Sequence, residues 1–477
     1  MHRPLTIKMI GLTILALHLL AVGTPARAIS IREEEELSKE FMRVLYKNFD
    51  LVEDPLIMGY VDTVGKRILA QLPPQPFAYH FFVIREDVYN AFAIPAGYIF
   101  INSGLLLAMD TEAELAGILS HEISHVVCRH ISQRIEREKK IGLASMAGMV
   151  AGIFLGAAGG SSAAAQAIVL SQAAGQSASL KFSRDDETQA DQLGLGYLNK
   201  AGYTADGLLQ ILKKIRNKQW FGSEQIPTYV MTHPAVEERI TTIDSWITTY
   251  ERGDKTKAMA GPASDYFKRM QYRLRALYDP AQSALQYFQT ALDNNPTDTN
   301  AAYGYALALS RTGNYKNAVI YMQKALFQDA LDPVLLGDLG RLYFLDGRLE
   351  DALRILQGAA SLGKFNPLAT LYLGRTYINQ GKFTEAAQTL ESLINQYKDL
   401  TEAYYFMGET CGKLERMPEA HFYLGLYHFR KADLRTAFFH LERARTTLTD
   451  TAKLEIVNQA LKSIGKLPPK AVQAGSR

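Results

Sequence analysis

Apolar residues recur at three- and four-residue spacing along most of the chain, and the pattern changes character in a few definite places. From Glu33 to Leu72, Phe41, Leu45 and Phe49 mark one face among good helix formers, which predicts helix. Pro73, Pro74 and Pro76 end that pattern, and the aromatic and β-branched run from Tyr79 to Ile84 predicts a strand. A second strand signal, Tyr98-Ile99-Phe100-Ile101, follows Pro95-Ala96-Gly97, so a small sheet is expected. Helical spacing resumes from Thr111 to about Arg134, with Thr111 and Glu114 placed as a capping box.

The C-terminal half is periodic on a longer scale. Gly313, Gly347 and Gly381 stand 34 residues apart, and the next step falls on Glu415. Ala318, Ala352, Ala386 and Ala420 keep the same period, as do Ala306, Gly340, Gly374 and Gly408. A large apolar residue follows each turn: Tyr315, Leu349, Phe383 and Met417. A 34-residue period with small residues where two helices touch resembles tetratricopeptide repeats, which stack helix pairs into a solenoid with a binding face. Register becomes irregular after Met417-Pro418, where an Ala437 pattern arrives early. Residues 253–264 separate the halves and read as a linker. The expected plan is a signal peptide at 1–28, a first domain at 29–252, repeats at 265–449, and a C-terminal helix and tail at 450–477. The fold class is mainly α: an α+β domain with a small sheet, then an α-solenoid.

At 477 residues, two or three domains are expected, and a formal net charge of +3 is too small to argue for a nucleic-acid partner. Two cysteines, Cys128 and Cys411, exclude a disulfide framework. Arg3 and Lys8, the mostly apolar run Met9 to Val22, and Ala26-Arg27-Ala28 read as a cleavable signal peptide rather than a membrane anchor. The apolar run is shorter than the roughly 18 residues a membrane span needs. The mature chain would start near Ile29, outside the cytoplasm, which in a bacterium means the periplasm.

The chemistry concentrates at His121-Glu122-Ile123-Ser124-His125. Residues four apart share a helical face, so His121 and His125 can point at one ion. Glu122, turned by about 100°, reaches a water beside that ion and serves as general base. Such zinc sites need a third protein ligand and an open fourth position. Downstream, Glu187 and Asp191 lie four apart. Glu187 is the candidate third ligand, and Asp191 the carboxylate that fixes the tautomer of a zinc-bound histidine. The competing reading of this pair is a solvated acidic face.

HEISHVVCRH, followed by ETQAD, resembles the HExxH and ExxxD motifs of the zinc-metallopeptidase family that includes HtpX, the CAAX-prenyl proteases and the BepA-like periplasmic proteases. NAFAIPAGYIFINSGLL is similar to that family's strand leading into the active-site helix, and the similarity covers Glu33 to about Tyr250. Membership implies one Zn2+ per chain, held by His121, His125 and Glu187. It implies also that His233, in THPAVEERI, takes the fourth position and plugs the site. The BepA-like members imply misfolded outer-membrane proteins as clients, with the β-barrel assembly machinery as partner of the repeats. Cys128 departs from the pattern and reads as inert packing rather than a soft ligand.

Ile141 to Leu180 carries no charge, and Gly148, Gly152 and Gly156 stand four apart within it. It reads either as a membrane span or as helices over the site that touch a membrane surface. Its Ala, Ser, Gln and Gly content favours the second. The strand Tyr98, Ile99, Phe100 and Ile101 is expected as a sheet edge to which extended substrate pairs. His421, His428 and His440 read as repeat packing. Two rival classes stand beside a periplasmic quality-control endopeptidase: a tetratricopeptide binding or chaperone protein with a structural zinc, and a membrane-embedded protease. An intact Glu122 argues against the first, and the lack of several long apolar runs against the second.

Overall fold

The computed structural model describes residues 29–137, 182–221, 228–251, 264–363 and 365–465. The signal segment, the uncharged stretch 141–180 and linker residues 253–263 lie outside the described residues. The described residues are mainly helical, with one three-stranded sheet among them. The N-terminal elements are α1 (Ile31–Asn48), α2 (Pro55–Leu69), β1 (His80–Ile84), β2 (Ala91–Ile94), β3 (Tyr98–Asn102), α3 (Ser103–Ala108), α4 (Glu112–Val127), α5 (His130–Arg137), α6 (Arg184–Lys200), α7 (Asp206–Phe221), α8 (Thr228–Thr232) and α9 (Val236–Tyr250). There follow α10 (Ser264–Tyr278), α11 (Ala281–Asn294), α12 (Thr299–Arg311), α13 (Tyr315–Ala325), α14 (Pro333–Leu345), α15 (Leu349–Ser361), α16 (Pro367–Asn379), α17 (Phe383–Gln396), α18 (Thr401–Lys413), α19 (Met417–Arg430), α20 (Leu434–Thr447) and α21 (Thr451–Gly465). They form two compact units, one of residues up to Val52 with Val61–Pro262, the other of Glu53–Tyr60 with Ala263–Arg477.

In the first unit, α1 starts at a full capping box between Ser30 and Glu33 and buries Leu37, Phe41 and Leu45 against Phe92, Ile94 and Phe100 of the sheet. Strand order is β1-β3-β2, with β3 parallel to β1 and antiparallel to β2. Tyr98 to Ile101 is therefore the central strand, paired on both sides, and not the edge expected from sequence. Residue alternation marks a strand but carries no information on its neighbours; the parallel β1–β3 pairing puts the later strand in the middle. Phe82, Phe100 and Phe92 stack across the three strands with centroids 5.1 and 4.8 Å apart.

Helix α4 begins where expected, with the Thr111 side chain accepting from the Glu114 N–H; the Glu114 carboxylate accepts from Asp110 N rather than closing the box on Thr111. It stops earlier than expected, at Val127, because Arg129 turns left-handed at φ 53°. That conformation costs a non-glycine residue roughly 1–3 kcal/mol and is held here by surrounding bonds: Arg129 Nε donates to Glu34 Oε1 at 2.8 Å and Nη2 to Ile29 O at 2.6 Å. Two close approaches fix α4 among its neighbours. A Cβ on Gly117 would lie 2.7 Å from Leu208 N of α7, and one on Gly194 of α6 would lie 3.2 Å from Ser120 O.

The second unit carries the helix pairs the 34-residue period predicts. Gly340, Gly374 and Gly408 on α14, α16 and α18 each face a leucine sixteen residues on: Leu356, Leu390 and Leu424. The irregular end has the same packing in shortened form. Gly425 of α19 faces Leu441 of α20, so α19 serves as second helix of one pair and first helix of the next. Between paired helices, Gly313, Gly347 and Gly381 turn left-handed with φ of 76°, 78° and 73°, and Glu415 takes the same turn at 60° without being glycine. Helix α21 closes the core with Val457, Ala460, Leu461 and Ile464. This unit also buries Arg273 of α10. Its Nε and Nη2 donate to Asp54 at 2.8 and 2.7 Å, and its Nη1 to Tyr303 and Asp338.

Candidate metal centre

His121, Glu122 and His125 lie on α4, Glu187 and Asp191 on α6, and His233 follows α8; all six are buried. One donor atom each from His121, His125, Glu187 and His233 falls within 4.8 Å of all the others. The Nε2 atoms of His121 and His125 are 3.0 Å apart, and His233 Nδ1 lies 3.1 Å from Glu187 Oε1 and 3.3 Å from His121 Nε2. The sequence-derived donors are thus brought together, Asp191 stands directly behind them, and Cys128 caps the end of α4 outside the cluster. Burial pushes the Cys128 thiol up to about 11, so it stays protonated and poorly nucleophilic. His421, His428 and His440 belong to the second unit and are not members of this set, although a carboxylate does reach one of them: His428 Nδ1 lies 3.1 Å from Asp433 Oδ2.

Each imidazole is set from behind. Asp191 Oδ1 accepts from His121 Nδ1 at 2.8 Å, which leaves the Nε2 lone pair facing the cluster. His125 Nδ1 lies 2.8 Å from His130 Nδ1, and His130 Nε2 lies 3.0 Å from Gln189 Oε1. An amide oxygen only accepts, so His130 Nε2 carries a proton and its Nδ1 accepts from His125 Nδ1. His125 Nε2 is then the free donor. The break at Arg129 makes this relay possible by starting α5 at His130. His233 is seated by the Tyr229 ring, 4.4 Å away and nearly parallel, with Ala235 left-handed at φ 63° just beyond Pro234. Phe182 stacks on His125 at 3.8 Å.

Arg239 of α9 locks the carboxylates. It donates to both oxygens of Asp191 and places Nη1 2.8 Å from Glu187 Oε2. Burial alone would raise the Asp191 carboxyl, but Arg239 and His121 outweigh it and hold it at about 2. Burial likewise works against Glu187, and His233 and Arg239 keep it well below the usual carboxylate range. Glu122 goes the other way: burial raises it, against the pull of His233 and His121. Among the described residues, neither oxygen of Glu122, nor His233 Nε2, has a hydrogen-bond partner, though all are buried. Buried polar atoms without partners are rare. Imidazoles with one carboxylate, converging and with orphaned polar atoms beside them, fit a zinc ion.

Sequence reasoning missed Arg239, His130 and Gln189. Arg239 was visible in principle, since it lies three residues after Val236 and four before Ile243, on the apolar face of α9. His130 was not, because no helical spacing relates it to His125 across a broken helix.

Residues 58–247 match the profile of Peptidase family M48, and 280–333 and 343–409 match tetratricopeptide repeats. The chain is 33% identical over 221 residues to the putative beta-barrel assembly-enhancing protease of Vibrio cholerae serotype O1, covering 46% of this chain and 45% of that one. Against the beta-barrel assembly-enhancing protease of Escherichia coli K12 it is 26% identical over 330 residues, 68% of this chain and 64% of the relative. The mitochondrial metalloendopeptidase OMA1 of Schizosaccharomyces pombe is 28% identical over 196 residues, 39% of this chain and 52% of that relative. The chain therefore spans less than two thirds of the length of these relatives. It carries a domain of peptidase family M48 followed by tetratricopeptide repeats.

Proposed function

We propose that the chain is a zinc-dependent endopeptidase that acts on misfolded or stalled outer-membrane proteins in the periplasm, with its repeats holding a client or the β-barrel assembly machinery. The observation that carries this reading is the convergence of His121, His125 and Glu187 beside a buried Glu122 that no hydrogen bond occupies. A zinc ion bound there supplies a Lewis acid and acidifies water. Glu122 would accept a proton from a water activated there, and its burial-raised basicity suits that task. Asp191 holds His121 in the ligating tautomer, and Arg239 keeps Asp191 and Glu187 ionised.

His233 is the restraint. It completes a four-donor set, and four protein donors resemble a closed structural site; its departure opens the fourth position. The sheet edge nearest the site is β2, whose continuation through Pro95 and Ala96 lines a cleft with His125, Val126 and Arg129. The printed names of the relatives support β-barrel assembly as the setting.

The test is degradation of an unfolded protein by the purified chain, comparing wild type and His233→Ala, with Glu122→Gln as blank. Faster cleavage by His233→Ala supports a restrained protease. Equal cleavage by both ends the plug. No cleavage above the blank by either, with zinc bound, moves the reading to a binding protein with a structural metal, which the four-donor set also favours.

A further inference from the structure

The first helices of successive repeats, α12, α14, α16 and α18, present one face of the second unit, and that face changes character along its length. Its first part is covered from within the chain: Arg269 and Arg273 of α10 pair with Asp332 and Asp338 at α14. One helical turn past Asp338 the sign reverses. Arg341 follows on α14, and Arg375 occupies the equivalent position of α16, 34 residues on. No described element pairs with Arg375: its contacts are three aromatic rings, Phe344 of α14 at 4.7 Å, Tyr372 of α16 at 4.6 Å and Phe406 of α18 at 4.7 Å. All four residues are partly buried and still reach solvent. Arg341 bonds Asp338 through Nε, while its buried Nη2 has no hydrogen-bond partner among the described residues.

Rings engage the flat faces of a guanidinium and leave its N–H edges as donors. A carboxylate fits those edges bidentately. The rings beside it also offer apolar surface, so the complementary ligand has a carboxylate and a large apolar group close together. In an extended peptide, adjacent side chains point to opposite faces and those two residues apart stand about 7 Å from each other on one face, so an internal acidic residue and an aromatic one do not fit together into a box whose rings lie 4.6 to 4.7 Å from the guanidinium. A chain-terminal residue can, since its carboxylate and its side chain leave the same Cα. We propose that Arg375, with Phe344, Tyr372 and Phe406 around it and Arg341 alongside, is a binding subsite for the C-terminal residue of a partner polypeptide ending in an aromatic side chain. The inference is independent of the peptidase chemistry.

The rival role for Arg375 is a packing staple between repeats, and the experiment separates the two. The full chain is titrated with a dye-labelled heptapeptide ending in phenylalanine with a free carboxylate, with its C-terminal amide, and with an amidated heptapeptide carrying an internal glutamate. Mass spectrometry checks that each peptide stays intact. The expected result is binding of the free acid at least tenfold tighter than either amide, and loss of that difference in Arg375→Gln while the amides bind as before. Free acid and amide binding alike to wild type would overturn the subsite, as would Arg375→Gln weakening all three peptides equally. If Arg375→Gln loses its helical signal, Arg375→Lys keeps the charge over the rings but loses the fork, and the acid-to-amide ratio should fall at least threefold. An unchanged ratio there also overturns the proposal.

Discussion

Arg239 meets Asp191 with two parallel hydrogen bonds, Nε to Oδ2 and Nη2 to Oδ1, both 2.8 Å, and neither residue touches solvent appreciably. Removing one partner of such a pair strands a buried charge, which costs about 3–5 kcal/mol. Arg239→Gln should therefore lower stability by that order and zinc affinity by about 10–100-fold, through the loosened Asp191 and His121. Denaturant melts and chelator competition measure the two. Unchanged zinc affinity would show that Asp191 needs no clamp.

His130 should matter to the metal without touching it. His130→Phe keeps a ring against Phe182 but removes the acceptor for His125 Nδ1, and zinc affinity should fall by about 10–100-fold. Gln189→Ala, one bond further back and near the surface, should have a smaller effect in the same direction. Chelator competition on both variants tests the relay, and it fails if His130→Phe binds zinc like wild type.

Arg273 holds Asp54, Asp338 and the Tyr303 hydroxyl at once, with its side chain wholly buried. Arg273→Met should destabilise by about 3–5 kcal/mol, because Asp54 loses its cation and Asp338 keeps only Arg341. Adding Asp54→Asn and Asp338→Asn should restore a large part of that loss. Urea unfolding decides it, and a triple variant no better than the single one would contradict the argument.

Glu415 takes the turn that Gly313, Gly347 and Gly381 take, at φ 60°. Left-handed backbone costs an L residue roughly 1–2 kcal/mol, and glycine there costs roughly 0.5–1 kcal/mol of chain entropy. Glu415→Gly should thus stabilise by up to about 1 kcal/mol, read as a higher unfolding midpoint. A lower midpoint would mean that the Glu415 side chain contributes more than the strain removes.

His440 is held down to about 4, chiefly by burial and then by His421 and His428, with His421 Nδ1 only 2.9 Å away. Its folded pKa lies below the ordinary 6.5, so between those values the unfolded chain binds the extra proton. The contribution is present above pH 6.5 and is lost as pH falls toward 4. His440→Gln should flatten the stability profile over that window, measured by thermal melts at stepped pH; an unaltered slope would assign the pH dependence elsewhere.

The sequence by itself determined the helix-dominated plan, the repeat period, and which side chains make up the candidate metal-binding set. His121 and His125 share a face because they are four apart on one helix, and Glu187 and Asp191 do so for the same reason; local periodicity carries that information. The glycines at 34-residue steps announced their turns because a missing Cβ removes the strain of that backbone. What the sequence left open concerned neighbours distant along the chain. The order β1-β3-β2 moved Tyr98 to Ile101 from the expected edge to the centre of the sheet. The left-handed break at Arg129 delivered His130 to His125. Arg239, Arg273 and the three rings around Arg375 acquired their partners only when helices far apart in sequence packed together. Backbone periodicity is a local property written residue by residue, whereas strand order and ion pairing depend on which surfaces meet. Only the tertiary structure decides that.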